Sequence, residues 1–446
     1  MPYIPHNKEE IEEMLVACGA SDLDDLIKQT GVPQANINLN IPPSKSEFEV
    51  LEHLKRLGSL NSNNLTYFLG GGYYDHIIPA VVNSVISRSE FYTAYTPYQP
   101  EASQGTLQAL FEYQSAICRI TGMDVSNASL YDGGTALFEA MTMSVRISSR
   151  KEVIISKTVS PIFREMIRCY SSNLELSIIE INETEDTKSD INKIIENISE
   201  NTASVIVQYP NFFGTIEDFS ELCEAAKRKG AIPICSVYPI CLALLKTPGE
   251  MGVDIVTGEG QSLGLPLSFG GPYLGFMAVK EKYMRKMPGR IVGLTKDSKG
   301  RDCFTLTLQT REQHIRRENA MSNICSNETL CAIAAIAYLS VLGKEGFVKT
   351  AELCHSKAVF LSNLLSEIEG VSITNKDNFF NEFTLKLPCD ASEVVSKMID
   401  KGYAAGFPLG RYYPQRKDEL LIAVTEKRKR EQLKSYVAAL EACIWT

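Results

Sequence analysis

The 446-residue sequence predicts an α/β protein: a large domain on a mostly parallel, mixed sheet, and a smaller C-terminal α+β domain. Hydrophobic residues make up 44% and charged residues 22%, as in soluble globular proteins with a large core. Short β-branched and apolar runs alternate with helical patterns over residues 66–330, which indicates βαβ units covered on both sheet faces.

Six apolar runs in this region predict strands, and helices are predicted before and between them. The predicted strands are Glu152–Ser156, Leu174–Ile181, Ala203–Gln208, Ile232–Val237, Val253–Thr257 and Leu274–Val279. The predicted helices are Gly105–Thr121, Thr135–Ile147, Pro161–Tyr170, Ser189–Ile198 and Glu217–Lys229.

The two ends of the chain have different patterns. Residues 1–65 show no strand signal and predict a helical arm, with helices at Glu9–Cys18 and Ser44–Leu57. Residues 331–446 predict the smaller domain. A long helix that is interrupted at Gly343 leads into it. Its further elements are strands Phe383–Leu387 and Glu419–Val424 and helices Ala391–Lys401 and Lys427–Ala442.

Composition argues against several classes of function. The formal net charge of −9 disfavours nucleic-acid binding. The 12 cysteines form no CxxC pair and no cluster with histidine, so we expect free thiols and no metal site. The N-terminus lacks a signal pattern, and the apolar stretch Cys331–Leu342 is too short to span a bilayer. We therefore expect a cytoplasmic protein that is not embedded in a membrane.

Two segments contain polar side chains beside residues that constrain or free the backbone, prolines in one and glycines in the other. Residues 91–105 are crowded with tyrosine, proline and hydrogen-bonding side chains, which suits either a half-buried site or a structural loop between subunits. Tyr131–Thr135 places two glycines at a helix start, where N–H groups and the helix dipole attract anions, although a plain tight turn has the same pattern.

Two more segments are candidates for ligand contacts. The glycine-dense loop 258–275 follows a predicted strand but matches neither a dinucleotide nor a phosphate-loop motif. The segment 310–318 carries three arginines and a histidine, which suits carboxylate or phosphate binding, or else an ion-pair network with its own glutamates.

Long stretches of the chain resemble the glycine cleavage system P-proteins, and among them the alpha-type chain of the two-subunit forms. The resemblance extends over nearly the whole chain and includes SLYDGGTALFEA and GEGQSLGLPLSFGGPYLGF; it is most specific in the long and unusual TAYTPYQPE and REQHIRRE. It implies the aspartate-aminotransferase-like fold of pyridoxal-phosphate enzymes (fold type I).

The resemblance also implies a reaction and partners. Glycine and the lipoyl arm of H-protein would give CO2 and an aminomethylated lipoyl group, with the cofactor's pyridine ring as electron sink. A homologous beta chain would carry the Schiff-base lysine and bind pyridoxal phosphate covalently, in an αβ or α2β2 assembly.

The residues expected of a self-sufficient chain are missing. No lysine occurs from Thr247 to Val279, and the Schiff-base position falls near Gln261. Lys246 is the runner-up, but it precedes the relevant strand. The segment 235–238 offers no acid for the pyridine nitrogen, and Ser160 stands where the family resemblance implies a histidine. We therefore expect the isolated chain to be inactive and to hold no cofactor covalently.

The resemblance places two groups of candidate residues. Those expected to complete the partner's site or to contact substrate are Tyr95, Tyr98, Gln99, Glu101, Gln104, Arg311 and His314. Those expected to mark a degenerate phosphate cradle are Asp132, Gly133, Gly134 and Thr135. Two rival hypotheses stay open: a self-sufficient enzyme that uses an unexpected lysine, and a cofactor-free scaffold that positions H-protein.

Overall fold

The computed structural model describes residues 5–32, 39–376 and 378–445. Its contacts divide the chain into two compact units, Met1–Asn63 and Asn64–Thr446. Within its described residues, the first unit contains three helices, α1 (Lys8–Ala17), α2 (Leu23–Gln29) and α3 (Glu47–Gly58). Helix α3 begins three residues later than predicted, because the Ser46 hydroxyl accepts a hydrogen bond from the backbone N–H of Glu49 and so caps the helix.

The second unit contains the remaining helices and all the strands of the described residues. Its helices are α4 (Ala80–Ile86), α5 (Ser89–Tyr92), α6 (Gln104–Thr121), α7 (Gly133–Ser148), α8 (Pro161–Tyr170), α9 (Ile191–Asn197), α10 (Ser220–Arg228), α11 (Gln313–Arg316), α12 (Thr329–Leu365), α13 (Ala391–Asp400) and α14 (Arg430–Ile444). Its strands are β1 (Thr66–Tyr67), β2 (Val125–Ser126), β3 (Glu152–Ser156), β4 (Ser177–Ile181), β5 (Thr202–Tyr209), β6 (Ile232–Val237), β7 (Ile255–Glu259), β8 (Gly275–Val279), β9 (Ile291–Lys296), β10 (Asp302–Thr307), β11 (Ser372–Ile373), β12 (Glu382–Lys386), β13 (Tyr403–Ala404), β14 (Phe407–Pro408) and β15 (Glu419–Ala423).

A seven-stranded sheet in the order β2-β8-β7-β6-β5-β3-β4 forms the centre of the second unit. Strands β4, β3, β5, β6 and β7 run parallel, and β8 runs antiparallel to its two neighbours, β7 and β2, so the predicted mostly parallel, mixed sheet is confirmed. Val205 and Val207 of β5 pack in one apolar core, whereas Ile206 between them packs in another. Both faces are therefore covered, which explains the uninterrupted apolar runs in the sequence.

The long helix α12 has the predicted break at Gly343, where φ is +59° and ψ −172°. Among the described residues it is long and apolar enough to cross a membrane by length and composition alone, a test that core helices of soluble proteins also pass. Its first turns are apolar because they are buried: Cys331, Ala332, Ala334 and Ala335 belong to the same core as Leu107 and Leu110 of α6.

Two elements beside the central sheet differ in how well the sequence predicted them. A four-stranded antiparallel sheet, β11-β12-β15-β14, carries the predicted strands near residues 383 and 419. The hairpin of β9 and β10 was not predicted, because its outer residues are polar and its strands lack the apolar runs of the central sheet. A domain boundary near residue 330 stays a prediction.

Glu382, the first residue of β12, holds the glycine turn 70–72 against the antiparallel sheet. Its buried carboxyl group accepts hydrogen bonds from the Gly71 N–H at 2.6 Å and the Tyr74 hydroxyl at 2.8 Å. A Cβ atom at Gly70 would lie 1.9 Å from the Glu382 Oε1 atom, so only glycine fits there. Burial raises the pKa of Glu382 from 4.5 to about 7.

We expect Glu382→Gln to flatten the dependence of unfolding free energy on pH. Between pH 4.5 and 7 the folded chain holds a proton on Glu382 that the unfolded chain releases. The stabilisation is complete below pH 4.5 and is lost, by roughly 3 kcal/mol, as the pH rises to 7. Urea unfolding at several pH values between 4.5 and 8 measures this slope.

The exposed Glu369 provides the control for this substitution, since Glu369→Gln removes a carboxylate without changing a buried contact. The Glu382→Gln chain should lose stability less steeply over this interval than both the wild type and the control. Equal slopes in all three chains would contradict the assignment.

Candidate functional site

The carboxyl ends of the parallel strands converge on a small cavity, as open α/β sheets lead one to expect of a ligand site. Gln208 of β5, Tyr238 after β6 and Glu259 of β7 line it from the sheet. Tyr74 and Phe163 close it from the sides, and the Tyr74 and Tyr238 ring centroids are 4.3 Å apart.

Glu259 occupies the start of helix α7, which is the predicted phosphate cradle. Its carboxyl group accepts hydrogen bonds from the Gly133 N–H at 2.9 Å, the Gln261 N–H at 2.9 Å and the Leu274 N–H at 3.0 Å. Burial raises the pKa of Glu259 to about 7, although these three N–H groups and the helix dipole favour the charged form.

Asp132 and Thr135 take part in capping the same helix. The Asp132 carboxylate accepts from the Thr135 N–H at 2.8 Å and from the Thr135 hydroxyl at 2.7 Å. Gly134 packs closely against α8: a Cβ there would lie 2.4 Å from the Met166 sulfur and 3.1 Å from the Phe163 ring, so the Met166 side chain would have to move. The four predicted cradle residues therefore do meet at a helix N-terminus, but two carboxylates from this chain already fill it.

The side chain of Gln261, at the predicted Schiff-base position, forms three hydrogen bonds with backbone groups of this chain. Its Nε2 donates to the carbonyls of Tyr74 at 3.0 Å and Leu265 at 2.7 Å, and its Oε1 accepts from the Tyr74 N–H at 2.8 Å. The alternative amine, Lys246, is paired with Asp218 at 2.9 Å and lies before β7.

The other groups expected of a cofactor site are also missing. Strand β6 ends in Ser236 and Val237, and Asp254 lies at the opposite edge of the sheet, paired with Lys227 at 3.1 Å and Lys282 at 3.2 Å. The Ser160 hydroxyl is buried and has no hydrogen-bond partner within the described part of the chain.

The cavity volume decides whether the cofactor fits. It is about 30 Å³, whereas small-molecule pockets are typically about 300–1,000 Å³. In the part of the chain that the structure describes, this cavity has no lysine, no acid at the end of β6 for the pyridine nitrogen, and a carboxylate at the phosphate end, so the residues present do not fit pyridoxal phosphate.

A second cluster contains several of the predicted partner-site residues. The Arg290 guanidinium donates to the Tyr98 hydroxyl at 2.6 Å, lies 5.0 Å from the centre of that ring, and contacts the His314 Nδ1 at 3.2 Å. Arg290 also forms a buried ion pair with Glu312. Tyr98 is 44% exposed, so its side chain lies between the buried Arg290 guanidinium and the protein surface.

The remaining predicted residues have different environments. Tyr95 is 73% exposed, and Gln99 and Glu101 are exposed beside it. The Gln104 amide is used internally: it donates to the Pro100 and Phe304 carbonyls and accepts from the Phe304 N–H. Arg311 is buried and donates to the Leu308 and Gly289 carbonyls. Burial and the nearby Arg290 lower the pKa of Arg311 to about 10.

A buried group of metal-ligand type lies elsewhere, at His76, Cys354 and Glu426, where one ligand atom from each residue lies within 4.8 Å of the others. Both His76 nitrogens already have partners, Glu426 at 2.7 Å and the Tyr238 hydroxyl at 2.5 Å. Hydrogen bonding therefore accounts for this group.

Sequence reasoning missed Arg290, Glu259 and Glu382. Glu259 lies within the glycine-dense loop that the sequence singled out, and its position between two glycines was a usable signal. Arg290 and Glu382 carried no local signal, because their contacts are with residues 192 and 308 positions away in sequence.

Comparison with known proteins identifies the family. The model of the glycine cleavage system P-protein family matches residues 1–440. Curated relatives include the probable glycine dehydrogenase (decarboxylating) subunit 1 of Citrifermentans bemidjiense, 49% identical over 100% of both chains, and that of Geotalea daltonii, 50% identical over 100% of both.

Solved structures agree with this match. A crystal structure of glycine decarboxylase (P-protein) of the glycine cleavage system, in inhibitor-bound form, has a TM-score of 0.92 and 40% identity, over 99% of this chain and 100% of the other. The sphingosine-1-phosphate lyase of Burkholderia pseudomallei shares the fold alone, with a TM-score of 0.65 and 14% identity over 92% of this chain and 93% of the other. The predicted aspartate-aminotransferase-like architecture, pyridoxal-phosphate fold type I, is confirmed. On the family match and the identities near 50%, the chain belongs to the glycine cleavage system P-protein family, among its subunit 1 chains.

Proposed function

We propose that this chain is the alpha-type subunit of a two-chain glycine decarboxylase and completes an active site that a lysine-bearing beta chain carries. In that assembly, glycine would be decarboxylated and its aminomethyl group transferred to the lipoyl arm of H-protein, with pyridoxal phosphate held covalently by the beta chain. The isolated chain would be inactive, and the assembly would be αβ or α2β2 in the cytoplasm.

One observation carries the proposal: this chain's own cavity is closed where a catalytic chain needs space and an amine. Gln261 is held by Tyr74 and Leu265, and Glu259 fills the helix start that would receive a phosphate. A family member of this kind requires its reactive groups from another chain.

The surface around Tyr95 and Tyr98 supports the second half of the proposal. Exposed tyrosines beside a buried arginine are typical of interface residues that contribute strongly to binding. The Tyr98 oxygen accepts from Arg290, so its own O–H is left to donate outward. We assign Tyr98 to a hydrogen bond across the interface and Arg290 to holding the ring in position.

The neighbouring groups favour an anionic partner for this hydroxyl. Arg290 and Arg311 lie close together, and Glu312 is the carboxylate paired with Arg290. One nitrogen of Arg311, Nη1, is buried without a hydrogen-bond partner in the described structure. The local excess of positive charge would stabilise a carboxylate or phosphate bound near Tyr98.

We expect Tyr98→Phe to reduce glycine–bicarbonate exchange by the reconstituted pair about 10- to 100-fold, because a hydrogen bond to a charged group contributes about 1.5–3 kcal/mol. Exchange assays at saturating H-protein measure the loss. The matched control is Tyr92→Phe, since Tyr92 is also exposed but lies on α5, outside the Arg290 cluster. Unchanged exchange in the Tyr98→Phe pair would exclude this role.

The number of cofactors bound per pair tests which of the two chains holds pyridoxal phosphate. After co-purification, we expect one pyridoxal phosphate per αβ pair, because only one of the two cavities accommodates it. Borohydride reduction followed by peptide mass spectrometry should place the pyridoxyl group on the beta chain. A pyridoxyl-lysine in this chain would favour the self-sufficient enzyme, and full activity of the beta chain alone would favour the scaffold.

A further inference from the structure

The start of helix α7 is bound by an anion that belongs to the chain itself. Glu259 comes from the end of β7, 126 residues after Gly133 in the sequence, and its Oε2 accepts from the Gly133 N–H at 2.9 Å. Its Oε1 accepts from the N–H groups of Gln261 and Leu274 at 2.9 and 3.0 Å. The carboxyl group thus makes the contacts that a bound anion makes at such a site.

The local backbone is shaped to admit this side chain closely. A Cβ at Gly133 would lie 3.0 Å from the Glu259 Cβ and 3.1 Å from its backbone nitrogen. A Cβ at Gly275 would lie 2.3 Å from the Asp132 carbonyl oxygen. Glycine at both positions lets β7, β8 and the helix start approach until the three N–H groups converge on one carboxyl group.

We propose that Glu259 is an internal anion that takes the place of a ligand phosphate and keeps this chain closed to phosphate and phosphate esters. A phosphate could enter only by displacing Glu259 from its N–H donors, which would leave a buried carboxylate beside a second anion. The Asp132 carboxylate on the same helix start opposes the phosphate further.

This inference extends the proposed function, because a chain closed to phosphate leaves the cofactor to its partner. Its test needs neither the partner nor activity, so the two can fail separately. If Glu259 does not close the site, the interface role of Tyr98 is unaffected; if Tyr98 has no role, the occupancy of the helix start is unaffected.

The experiment measures binding of inorganic phosphate to the full chain by titration calorimetry at about pH 8, above the pKa of Glu259, and at constant ionic strength in chloride. Glu259→Ala removes the anion and opens the helix start, so we expect phosphate to bind at least tenfold more tightly than to the wild type. The matched control is Glu382→Ala, which empties the other buried carboxyl group of the same cavity without touching the helix.

Two outcomes would overturn the proposal: no gain in phosphate affinity for Glu259→Ala, or an equal gain for Glu382→Ala, which would assign the effect to space alone. Should Glu259→Ala not fold, the wild-type chain supplies a second test by amide NMR. The Gly133, Gln261 and Leu274 amide resonances should shift together along one titration curve, because the Glu259 carboxyl group accepts all three N–H groups. Separate titration curves for the three amides, or shifts of these amides when phosphate is added to the wild-type chain, would also overturn it.

Discussion

A buried carboxyl group that accepts three backbone N–H groups holds together the carboxyl edge of the central sheet. Glu259 joins the start of α7 to the loop after β7 and the approach to β8, two segments that already meet at the end of the β7–β8 ladder. Such a contact is strong because the donors are fixed by secondary structure and shielded from water. The shape of the cavity at the start of α7 depends on this contact, because all three segments bind the Glu259 side chain.

The central sheet was predictable from the sequence because parallel strands buried on both faces are uniformly apolar. The runs at β3, β5 and β6 were located to within a residue or two at each end. The hairpin of β9 and β10 was not, since Thr295, Lys296 and Asp302 are exposed and its pairing depends on contacts with α6. A strand that packs on a helix distant in sequence cannot be recognised from its own pattern of apolar and polar residues.

For the candidate site, the sequence indicated the segments but not what fills them. The structure brings the segments of Gly133, Gly134 and Gln261 together at the carboxyl edge of the sheet. Their partners, Glu259, Tyr74 and Leu265, follow only from three-dimensional contact. Gln104 was expected at the partner's site because of its neighbours in the sequence, but its amide forms hydrogen bonds with the Phe304 backbone.

The contacts of Gln261 limit which residues can replace it. A lysine at this position could not accept the hydrogen bond from the Tyr74 N–H, because a charged amine has no acceptor atom. A buried backbone N–H would then lack its partner, which costs about 1–3 kcal/mol. The identity of residue 261 is thus tied to the main chain of a segment 187 positions away in the sequence.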